Sequence, residues 1–356
     1  MSSRPVSVLR FVFPLLAILA PLAFAACDED ATAPEPVNES PVPIGVVLGS
    51  VDLSLTVFPV DTPTVTRTIG LGPAGTPVSL AVRRELAAVP LGTVPAVAIV
   101  DLAAATVLRT VGLEAGSGAT GVAFANDSIV IVANPDLGTI TPINARSGSG
   151  AASVSVGTYP QNVLVHESRI YVVNANLVNF SPAGPGSISV LDAGTYATLA
   201  TIVLSGMNSS GIALGPDGLL YVVNSGNFGM ADGSVSVVST VSFQEVAHHP
   251  GFGDFPSAVT FGPDGTLYTT SFSYGVVAWN SGTRTFARTP DSAIEPGGVP
   301  SASGIGTDDD GRLYSLAATC TGPDQAHRLN NTYGVELSIT VGICPTSIQF
   351  TELPAS

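Results

Sequence analysis

The sequence predicts an all-β, seven-bladed propeller with four antiparallel strands per blade, and three observations carry that expectation. A six-residue anchor recurs seven times. The same succession of turns and strands follows each complete anchor. The two ends of the repeating region supply three strands and one strand, which together make the seventh blade.

The anchor is a small residue or proline, two spacers, an aliphatic residue, a spacer, and an apolar or small residue. It runs Pro77–Val82, Ala119–Phe124, Pro160–Val165, Ser209–Leu214, Pro256–Phe261, Ala302–Thr307 and Pro345–Phe350. Successive anchors lie 41 to 49 residues apart, the length of one four-stranded propeller blade. A turn follows each of the first six, as in Gly-Pro-Asp-Gly at 215–218 and 262–265. A second strand comes next, such as Ile129–Ala133, Ile170–Val173 or Leu220–Val223. A third begins near glycine and ends near Asp or Asn, and a Thr-rich fourth leads to the next anchor. No window carries a 3.6-residue apolar stripe with caps, so helices are expected to be nearly absent.

The last anchor supplies one strand, Thr346–Thr351, while Gly45–Leu48, Leu53–Val60 and Thr64–Gly70 stand ahead of the first anchor with none of their own. Joining these ends in one blade closes the ring and removes the open edges that a sheet must otherwise protect. A linear solenoid of the same repeats would leave both ends incomplete.

Ahead of the repeats, Arg4 and Arg10 precede an apolar run from Phe11 to Ala26, broken by Pro14 and Pro21. The run is shorter than the roughly 20 residues a spanning helix needs, so 1–26 reads as an export signal. It ends Leu22-Ala-Phe-Ala-Ala-Cys27, which resembles the lipobox of bacterial lipoproteins, with Phe24 where that family carries an aliphatic residue. The resemblance implies lipidation at Cys27 and a cell-envelope location, facing the periplasm or the cell surface. Residues 27–43, acidic and proline-rich, read as an extended tether, and 44–356 as the propeller domain.

Composition narrows the function classes. The mean hydropathy is +0.43, yet the apolar residues come in short bursts of Val, Ile, Leu and Ala, as buried strands require. The chain has no lysine, and beyond the signal ten arginines face 27 acids. Nucleic acid and anionic membrane surfaces are therefore poor partners, the lipid being the only expected membrane contact. A lysine Schiff base is excluded.

The strands Ile170-Tyr-Val-Val-Asn174 and Leu220-Tyr-Val-Val-Asn224 resemble the YVTN-type propeller repeats of bacterial surface and periplasmic proteins. The Gly-Pro-Asp-Gly turns, each with Leu-Tyr following at 220–221 and 267–268, are similar to those of NHL and gluconolactonase-type propellers. These motifs are structural, so the resemblance implies the fold and no particular reaction.

Motifs with a chemical reading favour the plain one. Gly70-Leu-Gly-Pro-Ala-Gly75 matches a dinucleotide fingerprint, but a strand follows it and Pro73 removes an amide. The consecutive carboxylates Asp308-Asp309-Asp310 lack the alternation of a calcium loop and align with the hairpin turns of other repeats. His248 and His249 are adjacent on a strand and point to opposite faces. A metal-dependent hydrolase of the gluconolactonase type is the alternative function. It needs carboxylates at the channel, where the anchors offer Ser79, Thr120, Gln161, Asn162, Ser210, Ser257, Ser303 and Thr346. Neither a catalytic residue nor a metal or cofactor ligand set is assigned.

What remains is a binding or scaffold role for a monomeric domain, engaging a protein, peptide or glycan. An up-and-down blade puts its second-to-third connection and the connection to the next blade on one face. Enlarged loops there place Phe180, Phe228, Met230, Phe252, Phe255 and Tyr333 as the candidate binding face, since large apolar groups on loops either fold back or meet a partner. By the same topology Cys320 and Cys344 belong to one end of one blade, and an oxidising compartment would join them as a disulfide.

Overall fold

Seven four-stranded antiparallel sheets follow one another along the chain, as the repeat predicts. The computed structural model describes residues 40–354. The expected signal, Cys27 and most of the tether lie outside the described residues. Blade one spans 81–112, blade two 122–155, blade three 160–207, blade four 209–250, blade five 259–288 and blade six 304–343. Blade seven combines Pro345–Leu353 with Val42–Gly49, Ser54–Pro59 and Arg67–Gly70. Its strand Val42–Gly49 starts slightly ahead of the boundary expected at 44. Helical structure among the described residues is limited to 3-10 turns such as Pro135–Leu137.

Burial explains the strand composition. Second strands lie between neighbouring blades and are covered on both sides, so Ile129–Asn134, Arg169–Asn174 and Leu219–Asn224 are buried at every position after the first. Continuous apolar runs are what two covered faces require. Fourth strands form the outer rim, and Thr106–Gly112 alternates exposed and half-buried positions along its whole length. Each inter-blade layer is a separate apolar cluster, such as Val47, Phe58, Tyr314, Leu316 and Ile348 between blades six and seven.

The ring closes through Val42–Gly49 against Pro345–Leu353, paired from Val42↔Leu353 to Gly49↔Pro345. Backbone bonds from Ser50 to the Cys344 carbonyl and from Val51 to the Ile343 carbonyl extend the seam. At the axis the first strands of successive blades almost touch. A Cβ at Gly121 would meet the Gln161 carbonyl oxygen at 2.5 Å, and one at Gly211 would overlap the Ser257 carbonyl oxygen. One at Gly304 would meet the Thr346 oxygen at 3.0 Å. In these three blades the third anchor position is therefore held to glycine by its neighbour's backbone, whereas blade three carries Asn162 there.

Cys320 and Cys344 form the expected disulfide, with Cα atoms 4.2 Å apart. It closes a loop worth about 3 kcal/mol in the chain-entropy picture. Asp324, buried beside it, accepts hydrogen bonds from the amides of Cys320, Cys344 and Thr319 and from the Thr319 hydroxyl. Burial pushes this carboxyl up, but the hydrogen bonds outweigh it and hold the group below the usual carboxylate range.

A lowered folded pKa contributes stability that is complete above the unfolded value, near ~4, and is lost as pH falls through the folded value. Asp324→Asn is expected to lower the unfolding free energy by about 1–3 kcal/mol at pH 7. The gap from wild type should narrow below pH ~4, as chemical denaturation across a pH series would show.

Candidate functional site

The central channel, a cavity of about 620 Å³, is lined by the first strands of all seven blades. Its lining includes Ser79, Gln161, Asn162, Ser210, Ser257, Ser303 and Thr346, with Arg83 as the charged residue. Ser79, Ser303 and the neighbouring Thr120 hold the ring together, while Ser210 and Ser257 bond within their own blades. Ser79 Oγ donates to the Thr120 carbonyl, Thr120 Oγ1 to that of Gln161 and Ser303 Oγ to that of Pro345, each one blade on. Arg83 is paired at 2.6 Å with Asp127. A lining without carboxylate or imidazole offers a divalent ion no ligand set and a hydrolytic reaction no acid–base pair. No group of three or more metal-ligating side chains occurs among the described residues.

Asn134, Asn174 and Asn224, at the ends of second strands, are buried and structural. Each side-chain amide donates to two hydroxyls on the adjacent third strand: Thr139 and Thr141, Ser187 and Ser189, Ser234 and Ser236. Asp308 and Asp310 are both held at 2.6 Å by Arg312 in the hairpin turn. His248 lies beside Glu245. His249 leans on Trp279 at 4.9 Å, and its pKa is lowered by burial first and then by Arg284 and His248.

The rim is more distinctive. Phe180 and Phe228 are each 81% exposed, Met230 is 58% and Phe272 is 50%. Phe180, Phe228 and Phe272 occupy the second-to-third connections of blades three, four and five, so three consecutive blades each present a ring on the same face. Phe272 also reaches the channel mouth. It sits in the tight turn Ser271–Gly275, too short to mark it as an enlarged loop in the sequence.

These rings stand on fixed backbone. Leu177–Val178 pairs with Ser181–Pro182 beneath Phe180, and the Phe180 and Tyr159 rings meet edge-on at 6.2 Å. Phe228 meets Phe255 edge-on at 5.5 Å. Asp232 accepts from the Asn227 backbone and side chain. Asp254 Oδ1 accepts from the Gly229 amide and its Oδ2 from the Ser273 hydroxyl, tying the loop of blade four to the turn of blade five.

Two expected members of this face lie elsewhere. Phe252 is fully buried, 5.8 Å from Trp279 and 5.0 Å from Phe286 in the layer between blades four and five. Gly251 and Gly253, at φ of 95° and 77°, turn it inward. Tyr333 is on the opposite face. Pro323–Leu329 is the third strand of blade six, so Tyr333 belongs to the third-to-fourth turn, not to one long connection from 319. There it packs edge-on against Tyr268 at 6.2 Å.

Charge is divided between the two faces. Among the described residues, no arginine, lysine or histidine lies in any second-to-third or interblade connection, while Glu114, Asp136, Asp291 and Glu295 are exposed there. The arginines occupy the opposite turns and the strands, in ion pairs such as Arg146 with Glu85 and Arg328 with Glu336.

No family model and no curated protein matches the chain. Solved structures do. A chain of Kuenenia stuttgartiensis hydrazine synthase is 13% identical with a TM-score of 0.63, over 78% of this chain and 90% of that one. A functionally unknown protein from Desulfotomaculum acetoxidans is 14% identical with a TM-score of 0.64, over 87% of this chain and 99% of that one. At such identities the likeness establishes the propeller fold alone.

The two phenylalanines of Gly-Asn-Phe228-Gly and Gly-Phe252-Gly separate by mutation. Phe252→Ser is expected to cost about 3–5 kcal/mol of stability, and Phe228→Ser to stay within ~0.5 kcal/mol. Urea unfolding of the two variants measures both.

Proposed function

We propose that this chain is an exported, lipid-anchored propeller of the YVTN/NHL-like kind whose work is binding or scaffolding. Its partner docks on the rim formed by Phe180, Phe228, Met230, Phe255 and Phe272. The observation that carries this reading is the succession of exposed rings on blades three, four and five, held on hydrogen-bonded loops. Leaving such rings in water is unfavourable, and a preformed display loses little conformational entropy when it meets a partner. Anchored by Cys27 through an extended tether, the domain would search a volume close to its membrane.

The double variant Phe180→Ser/Phe228→Ser should fold with an unchanged melting curve. Its partner affinity should fall by about 30-fold or more, the loss typical of truncating a central aromatic contact. Proteins captured from cell envelopes by wild type and variant, identified and then titrated, measure this. A partner retained at full affinity by the variant overturns the rim reading.

The tether is tested separately. Cys27→Ala should release the protein from membrane fractions, since one lipid-modified cysteine is the anchor the reading supplies. Continued membrane partition of the signal-cleaved variant would refute lipid anchoring.

A further inference from the structure

Aromatic rings at the two ends of the propeller differ in what covers them. On the face of the first-to-second and third-to-fourth turns, the Arg169 guanidinium lies 4.9 Å from the Phe243 ring centroid and that of Arg288 5.5 Å from Tyr333. Those rings meet a cation within the chain. On the opposite face Phe180, Phe228 and Phe272 are exposed, and among the described residues no basic residue occurs in the connections of that face. The face of an aromatic ring attracts a guanidinium or ammonium group, most strongly when the site loses water. The connections of that face carry exposed acids, Glu114, Asp136, Asp232, Asp291 and Glu295. Asp136 is near enough to Tyr159, the ring against Phe180, to push its hydroxyl pKa up, after the larger effect of burial.

We infer that the occupant of this rim is a basic polypeptide segment, whose arginine or lysine side chains stack on Phe180, Phe228 and Phe272 and pair with Asp136 and the other acids in the connections of that face. The inference rests on the rim reading above and gives the partner its chemistry. The acidic surround disfavours acidic glycans, nucleic acid and anionic lipid headgroups. A single small cation would use one ring at a time, whereas the rings are spread over three blades. A peptide chain carrying several basic groups can engage them together. The rings themselves set the register along the rim, and the carboxylates speed encounter.

The test uses the mature chain carrying Cys27→Ser, to keep it soluble. The probes are a fluorescein-labelled 15-residue peptide of alternating arginine, glycine and tyrosine, and two counterparts with every arginine replaced by glutamine or glutamate. Fluorescence anisotropy is followed as sodium chloride rises. The arginine peptide should bind, weakening about tenfold or more as salt rises to a few hundred millimolar and shortens the screening length. The glutamate peptide should not bind, and the glutamine peptide should bind at least about tenfold more weakly than the arginine peptide.

Phe180→Ser/Phe228→Ser leaves the net charge unchanged, so loss of binding in that variant separates rim docking from general attraction to an acidic protein. Asp136→Asn with Glu295→Gln should weaken the arginine peptide alone. Arg84→Gln, on the opposite face, should not weaken it. Equal binding of the arginine and glutamine peptides, lost in the phenylalanine variant, would overturn the basic partner and leave the rim in place. Absence of arginine-peptide binding at low salt would also overturn it. Full binding in the phenylalanine variant would overturn this docking mode, and the envelope capture described above would then decide whether the rim binds anything else.

Discussion

Everything in this domain depends on the closing of its ring. A repeat of four-stranded sheets has two end faces and a free edge unless the last sheet meets the first. Here Val42–Gly49 and Pro345–Leu353 meet inside one blade, so separating the chain ends would break a sheet as well as an interface. The disulfide and the buried Asp324 lie beside this junction. Asp324 receives the amides of both cysteines, and Asp52, in the adjoining connection, receives the amide of Ile343. Covalent and polar restraints thus concentrate where the two ends of the chain must remain together.

Closing seven blades also fixes the character of the axis. Adjacent first strands approach so closely that glycine stands at the third anchor position of blades two, four and six, and serine or threonine hydroxyls reach the next blade's carbonyl groups. Groups engaged in holding neighbouring strands have little capacity left for a ligand, and the channel lining carries no acid for chemistry. The connections at the rim are under no such constraint. They vary in length from blade to blade, and the exposed rings are found there.

The segregation of charge follows from the same up-and-down path. Arg83, Arg84, Arg146, Arg284 and Arg312 all fall at or beside the first-to-second or third-to-fourth turns, and most have carboxylate partners there. Surface pairs of this kind add little stability. Their consequence is asymmetry: one face carries both signs, with most of its turn arginines paired, while the other carries acids and bare aromatic rings.

The repeat made the fold legible from sequence, because apolar strand patterns, turn residues and the three-plus-one arrangement of the ends are local signals that recur. The disulfide was legible for the same reason, since strand order alone puts residues 320 and 344 at one end of one blade. Side-chain placement on loops was not. Phe228 and Phe252 look alike locally, each beside glycine in a polar loop, but Phe252 has Trp279 and Phe286 to pack against and Phe228 has solvent on most of its surface. Tyr333 changed faces because Pro323–Leu329, poor in strand-forming residues and containing Asp324, His327 and Arg328, pairs as a strand only between its two neighbours. By itself the sequence determined the architecture and its closure, since periodic burial needs no knowledge of distant contacts. Only the tertiary structure decided which aromatic rings face a partner, because that depends on what residues far along the chain leave uncovered.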